Sequence, residues 1–178
     1  MLYILICHLM TNCANNRYIQ SRERMELLAE MEQQFDNHNA PYFKNLLHHH
    51  DDAIRTRSIC ILADLASEDA VELIGHVLVN DKDALVRHEA AFSLGQLGFT
   101  SAVSTLSRAV ESDPSPFVRH EAAVALGVIG SEKARAILNK ALNDEREEVW
   151  KSAIIALANL DYISATKRNN DFTRMTGG

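Results

Sequence analysis

The chain is short of whatever breaks a helix or staples a fold. Among 178 residues there are three prolines, seven glycines and one tryptophan. So few breakers, set among many Ala, Leu and Glu residues, favour helices. The three cysteines, Cys7, Cys13 and Cys60, are an odd number and form no Cys-x-x-Cys pair. They indicate neither a disulfide framework nor a thiolate metal site, and they fit a reducing cytoplasm. Positive charge is scarce as well: 18 Lys and Arg against 24 Asp and Glu leave a net charge of −6. Such a chain lacks the basic face that releases counterions from a phosphate backbone, so nucleic acid is not an expected partner. Long hydrophobic runs are missing too. Met1 to Met10 is apolar, but a bilayer span takes about 20 such residues, and no basic stretch precedes it as in a secretory signal. That segment reads as a packing cap or as a misplaced start with Met10 the alternative first residue, and no membrane role is expected.

What the chain has is a repeat. Val86-Arg87-His88-Glu89-Ala90-Ala91 recurs as Val118-Arg119-His120-Glu121-Ala122-Ala123, an offset of 120 − 88 = 32 residues. A period of that size marks stacked helical hairpins. Two further segments, Ile54-Arg55 and Val149-Trp150, extend the register, with 86 − 54 = 32 and 149 − 118 = 31. Each of these pairs opens the second helix of a hairpin. Asp-rich turns precede them at Asp51-Asp52, Asp81 to Asp83, Asp113 to Pro116 and Asn143-Asp144, where acids suit the unsatisfied N–H groups and positive dipole end of a helix N-terminus. The first helices are expected near Pro41 to His50, Ala70 to Val79, Ala102 to Glu111 and Lys133 to Leu142. Ala63, Gly95, Gly127 and Ala158 share one repeat position. A glycine inside a helix costs about 1 kcal/mol against alanine, so small residues repeated there imply close helix contact.

Ahead of the repeats, Arg17 to Asp36 forms an amphipathic pattern with Ile19, Met25, Leu27, Leu28, Met31 and Phe35 on one broad face. At 19.9 kDa the chain is one domain's worth. The expected fold is all-α: an α-solenoid of four HEAT-like helical hairpins with an N-terminal capping helix. Residues 1–38 hold the apolar segment and cap, and 39–161 hold the repeats. Residues 162–178 are a polar tail that loses the periodicity and is expected to be flexible.

The repeats carry an oddity. Only the inner two hold a His-Glu pair, His88-Glu89 and His120-Glu121; the outer two hold Thr56-Arg57 and Lys151-Ser152. Acid and Arg at the start of such helices are ordinary wording, either solvated or paired along the stack. If His-Glu served the fold, however, all four repeats would carry it. Adjacent helix residues diverge by about 100°, while a stacked neighbour repeats the same directions about 8–10 Å away. His88 and His120 can therefore face one point between helices, with Glu89 or Glu121 joining from the side. Two imidazoles and a carboxylate leave open positions on a metal, as in non-haem Fe(II) sites that activate O2.

Over about residues 40 to 160 the chain resembles one half of deoxyhypusine hydroxylase, a HEAT-repeat di-iron monooxygenase whose two symmetry-related halves each carry His-Glu pairs in two adjacent second helices. The most specific matches are Arg87-His88-Glu89-Ala90 with Leu94-Gly95-Gln96, and Val118-Arg119-His120-Glu121-Ala122 with Ala125-Leu126-Gly127. The resemblance implies that His88, Glu89, His120 and Glu121 are iron ligands, and that the chain hydroxylates a long amine side chain with O2. By resemblance the substrate is a hypusine-bearing translation factor, or else another amine. The family has four His-Glu pairs in one chain and this sequence has two. A homodimer is the expected solution, since an isologous pair presents the same surface twice, with one iron per chain forming a bridged di-iron centre.

No catalytic acid or base is assigned outside the ligand set, and no organic cofactor is implied. His48-His49-His50 cannot all face one ion from a helix and are taken as dipole partners and loop residues. His76 and Trp150 are taken as packing residues. The terminal Gly177-Gly178 is discounted, because no β-grasp pattern accompanies it. The rival reading is a non-enzymatic HEAT scaffold for a partner protein; a third is resemblance to the HEAT-like phycobilin lyases.

Overall fold

The computed structural model describes residues 22–65 and 67–175, with side chains through 166. Every element of the described residues is helical. A first helix, α1, spans 22–36 and is followed by α2 (Ala40–Leu46), α3 (Asp52–Asp64), α4 (Glu68–Asn80), α5 (Ala84–Leu97), α6 (Val103–Ser112), α7 (Pro116–Ile129), α8 (Arg135–Ala141) and α9 (Glu147–Met175). Short 3-10 turns at Thr100–Ala102 and Glu132–Ala134 lead into α6 and α8. The hairpins are α2/α3, α4/α5, α6/α7 and α8/α9, as the repeat register requires. The second helices α3, α5, α7 and α9 pack side by side in one layer, and α4, α6 and α8 form the other. The apolar segment 1–10 lies outside the described residues.

Periodicity decides which residues meet. The third residue of each second helix, Ile54, Val86, Val118 and Val149, is wholly buried, and Ile59, Ala90, Leu94, Ala122, Leu126 and Ala153 continue the core. The repeated small residues are where the second helices touch most closely. A Cβ on Gly95 would lie 2.9 Å from Ala125 Cβ, and one on Gly127 would lie 2.8 Å from Ala156 Cα. Gly98 and Gly130 end α5 and α7 at φ +70° and +65°, left-handed conformations that glycine adopts without a Cβ penalty. The cap behaves as expected in part: Met31 is buried and Leu27, Leu28 and Phe35 pack on the core, whereas Met25 is 66% exposed and does not join that face.

The Asp-rich turns divide two tasks. Asp51 and Asp83 cap helices as expected, accepting from the backbone N–H of Ala53 and Leu85. Asp81, Asp113 and Asp144 do something else. Each is gripped bidentately by the arginine that opens the preceding second helix: Arg55 Nε to Asp81 at 2.7 Å, Arg87 Nε to Asp113 at 2.8 Å, and Arg119 Nε to Asp144 at 2.8 Å. The same arginines donate to the carbonyls of His49, Asp81 and Asp113. The same aspartates accept from the backbone N–H of Asp83, Ser115 and Arg146. In the first repeat His49 stands in the aspartate register, and its Nδ1 accepts from Asp51 N–H at 3.1 Å in the same way. Trp150 occupies the arginine register of the fourth repeat, so the ladder ends there.

One boundary differs from expectation. The helix expected to stop near Asp161 runs on to Met175, so residues 162–175 continue α9. Ile163 belongs to this extension and reaches back over Gly130, which ties the first turns beyond Asp161 to the third repeat.

The ladder's energetics are testable. Both members of the Arg87–Asp113 pair are buried, at 10% and 6% side-chain exposure. Asp113→Ala leaves a buried guanidinium unpaired and is expected to cost about 3–5 kcal/mol by urea denaturation. Glu111→Ala, which breaks the exposed pair with Lys140, should cost no more than about 1 kcal/mol.

Stability should also depend on acid. Burial alone raises the Asp81 carboxyl, but its hydrogen bonds to Arg55 and Asp83 N–H outweigh this and hold it below its ordinary value. Asp144 is lowered chiefly by Arg119. A lowered folded-state pKa stabilises above the unfolded value and is lost as pH falls through the folded one. Stability from these groups should therefore be level from neutrality down to about pH 5 and fall below about pH 4, the unfolded aspartate range.

Candidate functional site

The row of His and Glu residues lies on the side of the second-helix layer turned away from α4, α6 and α8. Positions two, three, six and ten after Ile54, Val86, Val118 and Val149 share this side. They include His88 and His120, Glu89 and Glu121, then Cys60, Phe92, Val124 and Ile155, and finally Val128 and Asn159.

Within each helix the two members of a pair diverge, as the 100° step requires. Contacts therefore form between repeats. The histidine register of one helix meets the glutamate register of the next. His88 Nε2 on α5 lies 3.4 Å from Glu121 Oε2 on α7. His120 on α7 meets Ser152 on α9, with Ser152 Oγ 2.7 Å from Nδ1 and the Glu148 carbonyl 3.2 Å from the same nitrogen. Glu89 turns the other way. The histidine register of the first repeat is Thr56, and Glu89 instead accepts from the Cys60 thiol at 3.2 Å and from Ser93 Oγ at 3.4 Å.

The four expected residues are thus on one surface but are not drawn to one point. His88 and Glu121 are brought together; Glu89 is engaged with α3 and His120 with α9. Among the described residues no three His, Cys, Asp or Glu side chains form a group that could hold a metal ion. The residues missed by sequence reasoning are Ser152, Cys60 and Ser93. The repeat register contained a signal for two of them, since Ser152 stands in the glutamate register and Cys60 in that of Phe92, Val124 and Ile155.

Burial sets the character of these groups. Glu121 is 9% exposed, and His88 keeps about a third of its side-chain surface open. The Cys60 thiol is pushed up to about 12, first by burial and then by the neighbouring Glu89 carboxylate. It is a proton donor to Glu89 rather than a thiolate nucleophile. Beside Ser152, a groove of about 410 Å³ runs between α7 and α9, lined mainly by Val124, Val128, Ile155 and Tyr162 with Asn159 at its edge.

The contacting pair suits a metal ion. With bonds of about 2.0–2.2 Å, two neighbouring ligands of one ion lie about 3.0–3.4 Å apart, and His88 Nε2 and Glu121 Oε2 are separated by 3.4 Å. His120 suits one as well, because its Nδ1 is held by a carbonyl and a hydroxyl, the kind of partner that orients metal-binding imidazoles. Among the described residues no third donor lies at the same point. His49 and His50 stack with ring centroids 4.3 Å apart, His49 serving the turn before α3. Trp150 carries Lys151 Nζ over its ring at 5.7 Å.

The family model for HEAT repeats matches residues 71–158. No curated protein sequence matches the chain. Among solved structures, human deoxyhypusine hydroxylase in complex with glycerol aligns with a TM-score of 0.67 and 26% identity, over 79% of this chain and 48% of that one. The CpcE and CpcF complex of phycocyanin lyase from Nostoc sp. aligns with a TM-score of 0.60 and 23% identity, over 71% and 55%. An engineered protein aligns with a TM-score of 0.51 and 23% identity, over 71% and 64%. The latter two speak to fold alone. The chain spans about half the length of the hydroxylase it matches. Among the described residues no helix is long and apolar enough to cross a membrane. The described residues form an α-solenoid of HEAT-like helical hairpins, similar over 79% of the chain to deoxyhypusine hydroxylase.

Proposed function

We propose that the chain acts as a deoxyhypusine hydroxylase-like non-haem di-iron monooxygenase, its site assembled from the His-Glu rows of two identical chains. The observation that carries this reading is the His88–Glu121 contact between α5 and α7, at a separation fitting two ligands of one ion. His88 and Glu121 would hold one iron, with the His120 ring brought towards them from its place against α9, and Glu89 would serve the second. When bound, the iron pair supplies O2 activation for hydroxylating an unactivated C–H bond.

The protein's own residues set the terms of that chemistry. Glu121 presents a carboxylate already largely withdrawn from water. Cys60 and Ser93 hold Glu89 by donating to it, and the helix-to-helix register holds His88 against Glu121. The groove between α7 and α9 offers apolar walls to the methylene stem of a substrate. The net charge of −6 favours a cationic amine, such as the side chain of a hypusine-bearing translation factor. A second chain, related by a two-fold axis, would bring an identical donor set to face the first.

A HEAT scaffold is the second reading. It is favoured by the exposed Val128, Ile155 and Tyr162, at 60%, 71% and 70%, which would suit a protein partner as well as a substrate stem.

Elemental analysis of the purified protein, with its mass in solution, separates the two. The oxygenase reading expects about one iron per chain in a dimer, lost in His88→Ala with helicity unchanged. A monomer that stays metal-free after anaerobic incubation with Fe(II) leaves the scaffold.

A further inference from the structure

We infer that Ser152 is a positioning residue that fixes the tautomer of His120, placing the ring proton on Nδ1 and leaving Nε2 as the ring's acceptor. The inference follows from three heavy atoms that lie within hydrogen-bond reach of one another. Ser152 Oγ is 2.7 Å from His120 Nδ1, Ser152 Oγ donates to the Glu148 carbonyl at 2.8 Å, and that carbonyl is 3.2 Å from His120 Nδ1. A carbonyl oxygen can only accept, and a hydroxyl has a single proton.

Suppose the ring proton sat on Nε2. The Nδ1 lone pair would then face the carbonyl lone pairs, and Ser152 would have to abandon Glu148 to satisfy it. With the proton on Nδ1 every contact closes: Ser152 donates to the carbonyl, and Nδ1–H donates to Ser152 Oγ with the carbonyl beside it. Ser152 is 4% exposed, so water does not readily replace it.

Position in the repeat explains why a serine is here. Residue 152 is in the register that holds Glu89 and Glu121 in the inner repeats. A glutamate in that register meets the preceding histidine at Nε2, as Glu121 meets His88. The shorter serine, bonded to its own helix backbone, meets His120 at Nδ1 instead. The fourth repeat therefore supplies an orienting hydroxyl rather than another carboxylate. The two histidines differ as a result: His88 is paired through Nε2, while His120 has Nε2 free of this clamp and able to donate to a ligand. The consequence for metal binding rests on the oxygenase reading; the tautomer does not.

The test uses the full chain with 15N-labelled histidine and long-range 1H–15N correlation at a pH about one and a half units above the ordinary histidine range. The wild type is expected to show His120 protonated at Nδ1. Ser152→Ala should raise the share protonated at Nε2, and Ser152→Thr, which keeps the hydroxyl, should restore the wild-type signal. Anaerobic Fe(II) titration of the same proteins should show affinity about 10–100-fold weaker in Ser152→Ala and largely recovered in Ser152→Thr. A wild-type His120 protonated at Nε2 overturns the inference, as does an unchanged tautomer in Ser152→Ala with native helicity. If the tautomers behave as expected and the wild type binds no Fe(II), the role of Ser152 stands and the oxygenase reading falls.

Discussion

The bidentate arginine–aspartate clamp between successive repeats is the constraint on which the rest of this structure depends. Arg55, Arg87 and Arg119 each sit three residues into a second helix, and each holds the aspartate three residues before the next second helix begins. That fixes how far one helix slides along its neighbour. A fork-to-fork ion pair has two parallel bonds and tolerates little axial play. Residues immediately after each arginine are therefore set against known residues of the next helix. Arg87–Asp113 puts His88 beside Glu121, Arg119–Asp144 puts His120 beside Ser152, and Arg55–Asp81 puts Cys60 beside Glu89. The glycines at 95 and 127 complete the device by letting the helices approach to backbone contact at their far ends.

The same register explains why one chain forms a single His–Glu contact. A glutamate reaches back to the histidine of the preceding repeat, so two His-Glu pairs in series give a single His–Glu contact. Glu89 looks back to a repeat with Thr56 in the histidine register, and His120 looks forward to one with Ser152 in the glutamate register. The unpaired ends are filled by small neutral donors: a thiol held protonated by burial and its carboxylate neighbour, and a hydroxyl tied to the α9 backbone. A second chain would supply what the first lacks, in keeping with the half-length match to a hydroxylase.

Much of the architecture was legible in the sequence because hairpin repeats announce themselves by period. The recurring Ile54, Val86, Val118 and Val149 set the register of all four hairpins, and the small residues at one position foretold the contacts of Gly95 with Ala125 and Gly127 with Ala156. What the sequence hid was direction. The Asp-rich turns look alike, yet Asp83 caps its own helix while Asp81 serves the previous arginine; two residues of offset separate the roles. The convergence of His88 and His120 was expected from equal spacing, but equal spacing cannot tell whether a side chain leans to the preceding helix or the following one. Residues beyond Asp161 lack apolar periodicity, and backbone hydrogen bonding continues the helix there without it. Met25 lies off the cap's buried face and is exposed.

In the proposed oxygenase, the interhelical register makes His88 and Glu121 neighbours on one iron. Anomalous diffraction from crystals grown anaerobically with Fe(II) measures this most directly. The account predicts an iron peak between His88 Nε2 and Glu121 Oε2, with His120 Nε2 turned towards it and donors from a second chain closing the site. Iron bound elsewhere, for instance at His48 to His50, with His88 and Glu121 still in direct contact, would contradict it.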